Sequence, residues 1–327
     1  MVNILENKLK EKISSLIEEL EIIIGYSESK APLKVNPVFI KTKEEIDRLI
    51  FNNLCINNLA TYSYYLAADT KGKIGIILKP CDVKSIIQLI SEELLIKNKI
   101  KTIVIGCNGI IDYKKINKAV NYQKIISAKL DENNNNITVN TVDESFNFRL
   151  KDFFAEKCYT CNIYDNPPYY DEFIENDFKL NLEKKKEYED IEEFEKLGLE
   201  KIYKFWEEEF NNCIRCYSCR NICPLEVCRD KCIAQLDEPH WQSQKINSSE
   251  GKFFQMIRIF HLAGRCTECG ECERVCPANI ELLKLMKKVN QIILKLFDYR
   301  PGLILDMKPP LLTFKNVEQN IKEEELI

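Results

Sequence analysis

A chain of 327 residues has room for two domains of ordinary size. Its 47 basic and 51 acidic residues leave a formal charge of −4, which argues against a nucleic-acid partner, since such proteins carry a basic surplus on one face. Fifteen cysteines with no secretory leader point away from a disulfide framework and toward metal ligation in a reducing compartment.

The stretch from Met1 to Leu20 is amphipathic and rich in Lys and Glu, so no signal or transit peptide is expected. Leu9, Ile13, Leu16, Ile17 and Leu20 repeat at close to 3.6 residues and predict a first helix. A short strand is expected around Val38–Lys41. Residues 73–78 form an apolar run ending at Lys79-Pro80, which suits a buried strand. Asp82 then reads as the N-cap of a helix through Ile86, Ile87, Ile90 and Leu94. Residues 101–106 make a second buried strand, completing a βαβ unit with a parallel pair. Asn133–Asn136 reads as a loop, and Ile137–Thr141 with Ser145–Leu150 as a hairpin. Charges break every apolar run well short of a membrane span.

From Tyr170 to Asn212 the composition shifts to Lys, Glu and aromatics, an exposed connection entering a helix over Leu199–Phe210. Then come two cysteine runs, Cys213-x₂-Cys216-x₂-Cys219-x₃-Cys223-Pro224 and Cys266-x₂-Cys269-x₂-Cys272-x₃-Cys276-Pro277. Each has the ligand spacing of bacterial-type 4Fe–4S ferredoxins, in which the fourth cysteine reaches the other cluster. Random placement of the cysteines would give about 0.0015 such runs per chain, and this chain has two. Structural zinc prefers paired C-x₂-C knuckles without the third cysteine and the trailing proline.

The expected ligand sets are therefore Cys213, Cys216, Cys219 and Cys276 for one cluster, and Cys266, Cys269, Cys272 and Cys223 for the other. Between the runs, Phe253, Met256, Ile257 and Phe260 predict one apolar helix face; after Pro277, Leu282, Leu285, Met286, Val289 and Ile293 predict another. Helices in these places suggest an all-helical two-cluster module. The fold class read from this pattern is α+β/α: an N-terminal α/β domain with a small parallel sheet and a mostly helical C-terminal ferredoxin domain. The expected division is 1–169, a connection over 170–212, the dicluster domain over 213–300 and an extended tail over 301–327. Exposed cubane clusters are oxygen-labile, so the expected setting is the cytoplasm of an anaerobe.

A second cysteine constellation lies upstream. Cys81 and Cys107 follow the two strands of the βαβ unit, at the edge where open α/β sheets place their sites. Cys81 also stands at a helix N-terminus, where the dipole favours a thiolate. With Cys158-x₂-Cys161 they could close a third four-thiolate site, or Cys81 and Cys107 could be small buried hydrophobes. Cys228 and Cys232 lie four apart on one face of an expected helix and could bind metal, shield a cluster or pack. Cys55 has no obvious partner. His240 and His261 read as structural. Arg215, Arg220, Arg229, Lys231, Arg265 and Arg274 could offset thiolate charge and raise reduction potential. No G-x-G-x-x-G or P-loop is present.

The order Lys79-Pro-Cys81-Asp82, Gly106-Cys107-Asn-Gly109-Ile-Ile-Asp112 and Cys158-x₂-Cys161 resembles the beta subunits of deazaflavin (coenzyme F420) hydrogenases and dehydrogenases. The chain looks most like their dicluster iron–sulfur relatives, associated with heterodisulfide reductase-like, hydrogenase or formate dehydrogenase subunits. Phe205-Trp206-Glu-Glu-Glu-Phe210 before Cys213, the Pro239-His-Trp241 loop and Gly264-Arg-Cys266 are similar to that subgroup. The resemblance implies a cubane cluster in the N-terminal domain beside a flavin, and so a third 4Fe–4S cluster on Cys81, Cys107, Cys158 and Cys161. The sequence departs from flavin-bearing members in lacking a clear glycine-rich flavin loop, which counts against FAD. The expected function is an electron-transfer subunit relaying single electrons between partner subunits of an oxidoreductase complex. The alternative is a flavin-containing catalytic subunit acting on a deazaflavin or NAD(P)H.

Overall fold

The computed structural model describes residues 4–131, 135–163, 166–177, 183–227, 232, 236, 241–243 and 245–314. Cys228, Arg229, Lys231, Pro239, His240 and the last part of the expected tail lie outside the described residues. The chain divides into two compact units, Met1–Val83 with Ile96–Lys185, and Lys84–Leu95 with Lys186–Ile327.

In the first unit α1 (Ile4–Leu16) leads into β1 (Ile22–Glu28) and β2 (Val35–Ile40). After α2 (Ser63–Asp69) come β3 (Ile74–Leu78), the first turn of α3 (Pro80–Ser91) and β4 (Ile100–Ile105). The remaining elements are α4 (Tyr113–Ala119), β5 (Ile125–Asp131), β6 (Asn136–Thr141), β7 (Ser145–Arg149), α5 (Glu156–Tyr159) and β8 (Glu172–Ile174). The main sheet runs β2-β1-β3-β4-β8, with β1 and β2 antiparallel and the other pairs parallel. The expected βαβ pair is present as β3 beside β4, Ile74 opposite Ile100. Every residue of β3 is buried, the continuous apolar pattern of a strand covered on both faces. The sheet is thus mixed rather than purely parallel.

The expected hairpin of β6 and β7 is present, and β5 joins it to make a separate antiparallel three-stranded sheet that its modest alternation did not announce. β8 lies within the segment read as an exposed connection; Asp171 anchors it, accepting from the Thr102 backbone N–H at 2.7 Å and from the Thr102 hydroxyl at 3.0 Å. The helix after β3 begins earlier than expected. Pro80 opens it and Asp82 sits in its first turn instead of capping it, as suits a proline whose missing N–H would be unpaired there.

The second unit is helical: α6 (Glu189–Glu195), α7 (Leu199–Asn211), α8 (Ser218–Asn221), α9 (Ser248–Leu262), α10 (Glu271–Arg274) and α11 (Leu282–Phe297). Residues 84–95, most of α3 and its exit, belong to this unit, where Tyr299 Oη donates to Gln88 Oε1 at 3.0 Å and Ser91 Oγ to the Leu305 carbonyl at 2.9 Å. The described beginning of the expected tail is therefore tied down. Phe194, Phe205, Trp206 and Phe210 form an aromatic chain across α6 and α7.

The phase of α9 differs from expectation. Phe253, Met256 and Phe260 face outward, while Gly251, Phe254, Gln255, Arg258 and Leu262 are buried. A polar pair has taken the inward positions because the inward neighbours are cysteine sulfurs. Among the described residues no helix is long and apolar enough to cross a membrane.

Candidate metal centres

The two cysteine runs fold alike. Arg215, Tyr217 and Glu226 have positive φ of 49°, 59° and 53°, and 53 residues further on Glu268, Gly270 and Asn279 repeat this with 57°, 73° and 56°. Left-handed conformations are uncommon outside glycine, so a repeat at three matched positions marks one loop design used twice. Each loop winds its first three cysteines round a common centre, enters a one-turn helix (α8 or α10), and delivers its fourth cysteine beyond it.

That fourth cysteine crosses over. One pocket is lined by Cys213, Cys216, Cys219 and Cys276, together with Phe254, Gln255 and Ile280. A second is lined by Cys266, Cys269, Cys272 and Cys223, together with Arg258, Leu262 and Leu283. Among the described residues no three His, Cys, Asp or Glu side chains converge enough to hold a single metal ion. Four thiolate donors per pocket and apolar walls fit a 4Fe–4S cluster in each.

The electrostatics are those of thiols in a dry site. Burial pushes Cys219 and Cys223 each up to about 11, and the Arg258 guanidinium pulls both back. Cys266 is raised well above the usual thiol range, by burial first and then by Cys269 and Cys272. These cysteines become stable thiolates only with a metal to hold the charge. Arg258 is 7% exposed, and its charge is held by Cys272, Cys219 and Cys223 against the penalty of burial. Gln255 is 1% exposed and points its Nε2 at Cys213 Sγ and Cys219 Sγ, at 3.9 and 4.0 Å.

Three of the basic residues singled out in the sequence make ion pairs or hydrogen bonds beside the runs. Arg215 donates to the Ser243 carbonyl at 2.8 Å, Arg265 pairs with Glu92 at 3.2 Å, and Arg274 grips Glu271 through two bonds of 3.0 and 2.7 Å. Sequence reading missed Arg258 and Gln255 because both lie outside the cysteine runs. Cys232 is buried in the same apolar cluster as Cys213, Cys219, Cys272 and Cys276. His261 is partly buried on α9, and burial holds its imidazole below the usual range. Cys55 is buried in a turn, accepting from the Asn52 N–H at 3.4 Å.

In the first unit a second cysteine neighbourhood forms at the carboxyl ends of β3 and β4. Asp112 N–H to the Phe153 carbonyl at 2.8 Å and Ala155 N–H to the Ile110 carbonyl at 2.9 Å clip the chain after Cys107 to the chain before Cys158. Gly109 in that clip has φ of 94°, and a Cβ there would press the Phe154 ring at 3.2 Å. Burial raises Cys107 to about 12, helped by the nearby charge of Cys158 and Cys161. Cys81 is raised well above the thiol range by burial, then by Asp82, with Cys161 contributing. Cys161 thus acts on each of the other three cysteines, and Cys107 also on Cys158. Burial and the Asp82 carboxylate oppose the thiolate expected of Cys81 at the helix N-terminus. Lys184 donates to the Cys161 and Cys158 carbonyls at 2.7 and 3.3 Å, closing the turn between them.

Two crossed four-cysteine pockets in a small helical unit define a two-cluster iron–sulfur protein, and the family model "4Fe-4S dicluster domain" matches residues 212–281. Part of the chain is similar to curated beta subunits of F420-dependent formate dehydrogenases. It is 33% identical over 132 residues to the F420-dependent formate dehydrogenase subunit beta of Methanocaldococcus jannaschii, covering 40% of this chain and 32% of that one. It is 29% identical over 107 residues to the F420-dependent formate dehydrogenase 1 subunit beta of Methanococcus maripaludis, covering 33% and 26% respectively. The chain thus spans about a third or less of the length of these curated relatives. A chain of the F420-reducing [NiFe] hydrogenase complex from Methanosarcina barkeri overlaps 50% of this chain and 60% of its own, with 14% identity and a TM-score of 0.37.

Proposed function

We propose that the chain is an electron-transfer subunit that relays single electrons between partner subunits of an oxidoreductase complex in the cytoplasm of an anaerobe. The observation that carries this reading is the pair of crossed pockets, Cys213, Cys216, Cys219 and Cys276 round one and Cys223, Cys266, Cys269 and Cys272 round the other. Bound there, two 4Fe–4S clusters would supply one-electron chemistry. The surrounding residues hold the thiolates, exclude water and place a buried cation and an amide donor against the sulfurs. Cys81, Cys107, Cys158 and Cys161 would hold a third 4Fe–4S cluster, with the buried Lys79 nearby to offset charge. The partners are subunits of formate dehydrogenase, hydrogenase or heterodisulfide reductase-like type, a reading supported by the formate dehydrogenase subunits that the chain resembles.

Iron, acid-labile sulfide and flavin in anaerobically purified protein test this reading. About twelve irons without flavin are expected. About eight would leave the two-cluster relay and make the N-terminal cysteines structural. Bound FAD, reducible by a deazaflavin or NAD(P)H, would replace the relay with a catalytic subunit, and absence of cluster iron would sink both.

A further inference from the structure

The inward face of α9 carries two polar residues three positions apart, Gln255 and Arg258, where helical geometry puts them on one side. They address different cysteines. Gln255 Nε2 faces Cys213 and Cys219, both of the first pocket. Arg258 lines the second pocket beside Cys223 and Cys272, and Cys219 of the first also faces it. One guanidinium nitrogen, Nη1, is buried without a hydrogen-bond partner, which leaves a donor free beside the second pocket.

A guanidinium costs several kcal/mol to bury unless anions repay it, and the anions on hand are thiolates. Adding an electron to a group held by those thiolates adds negative charge in a low-dielectric site, where a fixed cation stabilises the reduced form far more than it would in water. Hydrogen-bond donors on the sulfurs act in the same direction. We propose that Arg258 raises the reduction potential of the second cluster above the value its four thiolates alone would give, while Gln255 acts in the same sense, and more weakly, on the first. α9 thereby sets the step in energy between the two clusters. This rests on the proposed occupancy of both pockets.

The test is a redox titration of the full-length, anaerobically purified protein, with dithionite as the electron donor and EPR as the readout. Iron is counted on every sample. Arg258→Gln is expected to keep its iron while one couple falls by at least a tenfold change in the reduced-to-oxidised ratio, about 59 mV for one electron. The other couple falls less. Gln255→Leu is expected to lower mainly that other couple, and Arg258→Lys to stay near wild type. Full iron with unmoved potentials in Arg258→Gln overturns the proposal. If Arg258→Gln loses iron, Arg258→Lys decides: wild-type iron and potentials support the role of charge, and any other result overturns it. A wild-type protein without clusters is a different failure, that of the relay reading itself.

Discussion

Lys79 Nζ lies 2.6 Å from Asp82 Oδ2, and both side chains are essentially sealed from solvent, at 1% and 0% exposure. Burial pulls the Lys79 ammonium down, but the charges of Asp82, Cys81 and Cys107 outweigh it and hold the group above its ordinary range. A buried pair of this kind is costly to half-remove. Lys79→Met, which strands Asp82, is expected to destabilise the protein by about 3–5 kcal/mol. Lys79→Met with Asp82→Leu should recover most of the loss, since apolar replacement of both partners is close to neutral. Anaerobic urea unfolding of the two singles and the double closes the cycle, and additive losses would sink the interpretation.

Tyr26 completes the same arrangement. Its hydroxyl accepts from Lys79 at 2.8 Å and donates to the Asn57 carbonyl at 2.7 Å, and the same ammonium also donates to that carbonyl at 2.8 Å. Tyr26→Phe keeps the ring and leaves Lys79 one acceptor short. The expected cost is about 1–3 kcal/mol, the penalty for an unsatisfied buried donor. A variant as stable as wild type in the same urea experiment would mean that another acceptor replaces the hydroxyl.

These contacts show what the sequence could and could not disclose. The two cysteine runs were legible because ligand spacing within a short loop is local chemistry, independent of the rest of the fold. The strands β3 and β4 were legible from unbroken apolar runs, and with them the placement of Cys81 and Cys107 at strand ends. β1 and β8 escaped because pairing partners far along the chain, not local pattern, make them strands. Lys79 and Arg258 escaped for a different reason. A charged residue in a sequence reads as exposed, and only the surrounding carboxylate or sulfurs make it an interior group. On α9 the misreading ran through the whole helix: Phe253, Met256 and Phe260 supplied a period of 3.6, but the face turned inward is the one with Gln255 and Arg258.

The crossing of the fourth cysteines makes a prediction that sequence neighbours alone would reverse. Cys276 belongs to the second run but lines the pocket of Cys213, Cys216 and Cys219. Cys276→Ala and Cys216→Ala are therefore expected to abolish or convert the same EPR signal, and Cys223→Ala and Cys269→Ala the other. Each variant loses up to about four irons. If Cys276→Ala instead pairs with Cys269→Ala, the ligands do not cross. The upstream quartet is checked on the same footing: Cys158→Ala with Cys161→Ala should remove about four irons and leave both dicluster signals intact.

Two glycines in the second unit separate backbone strain from packing. Gly198 and Gly302 have φ of 82° and 73°, a region L-residues rarely adopt. Around Gly198 a Cβ would meet nothing within 4 Å, so Gly198→Ala tests the dihedral alone and should cost about 1–3 kcal/mol. At Gly302 a Cβ would fall inside the carbonyl of Lys84, on the part of α3 that belongs to the same unit. Backbone cannot swing aside as a flexible side chain can. Gly302→Ala should therefore lose the same strain energy plus the displacement of the Pro301–Gly302 turn from α3, and with it the Tyr299–Gln88 bond of 3.0 Å. Thermal unfolding under anaerobic conditions is expected to place Gly302→Ala clearly below Gly198→Ala. Equal losses would mean that the turn moves off α3 without cost, and that its contacts contribute little to holding the second unit together.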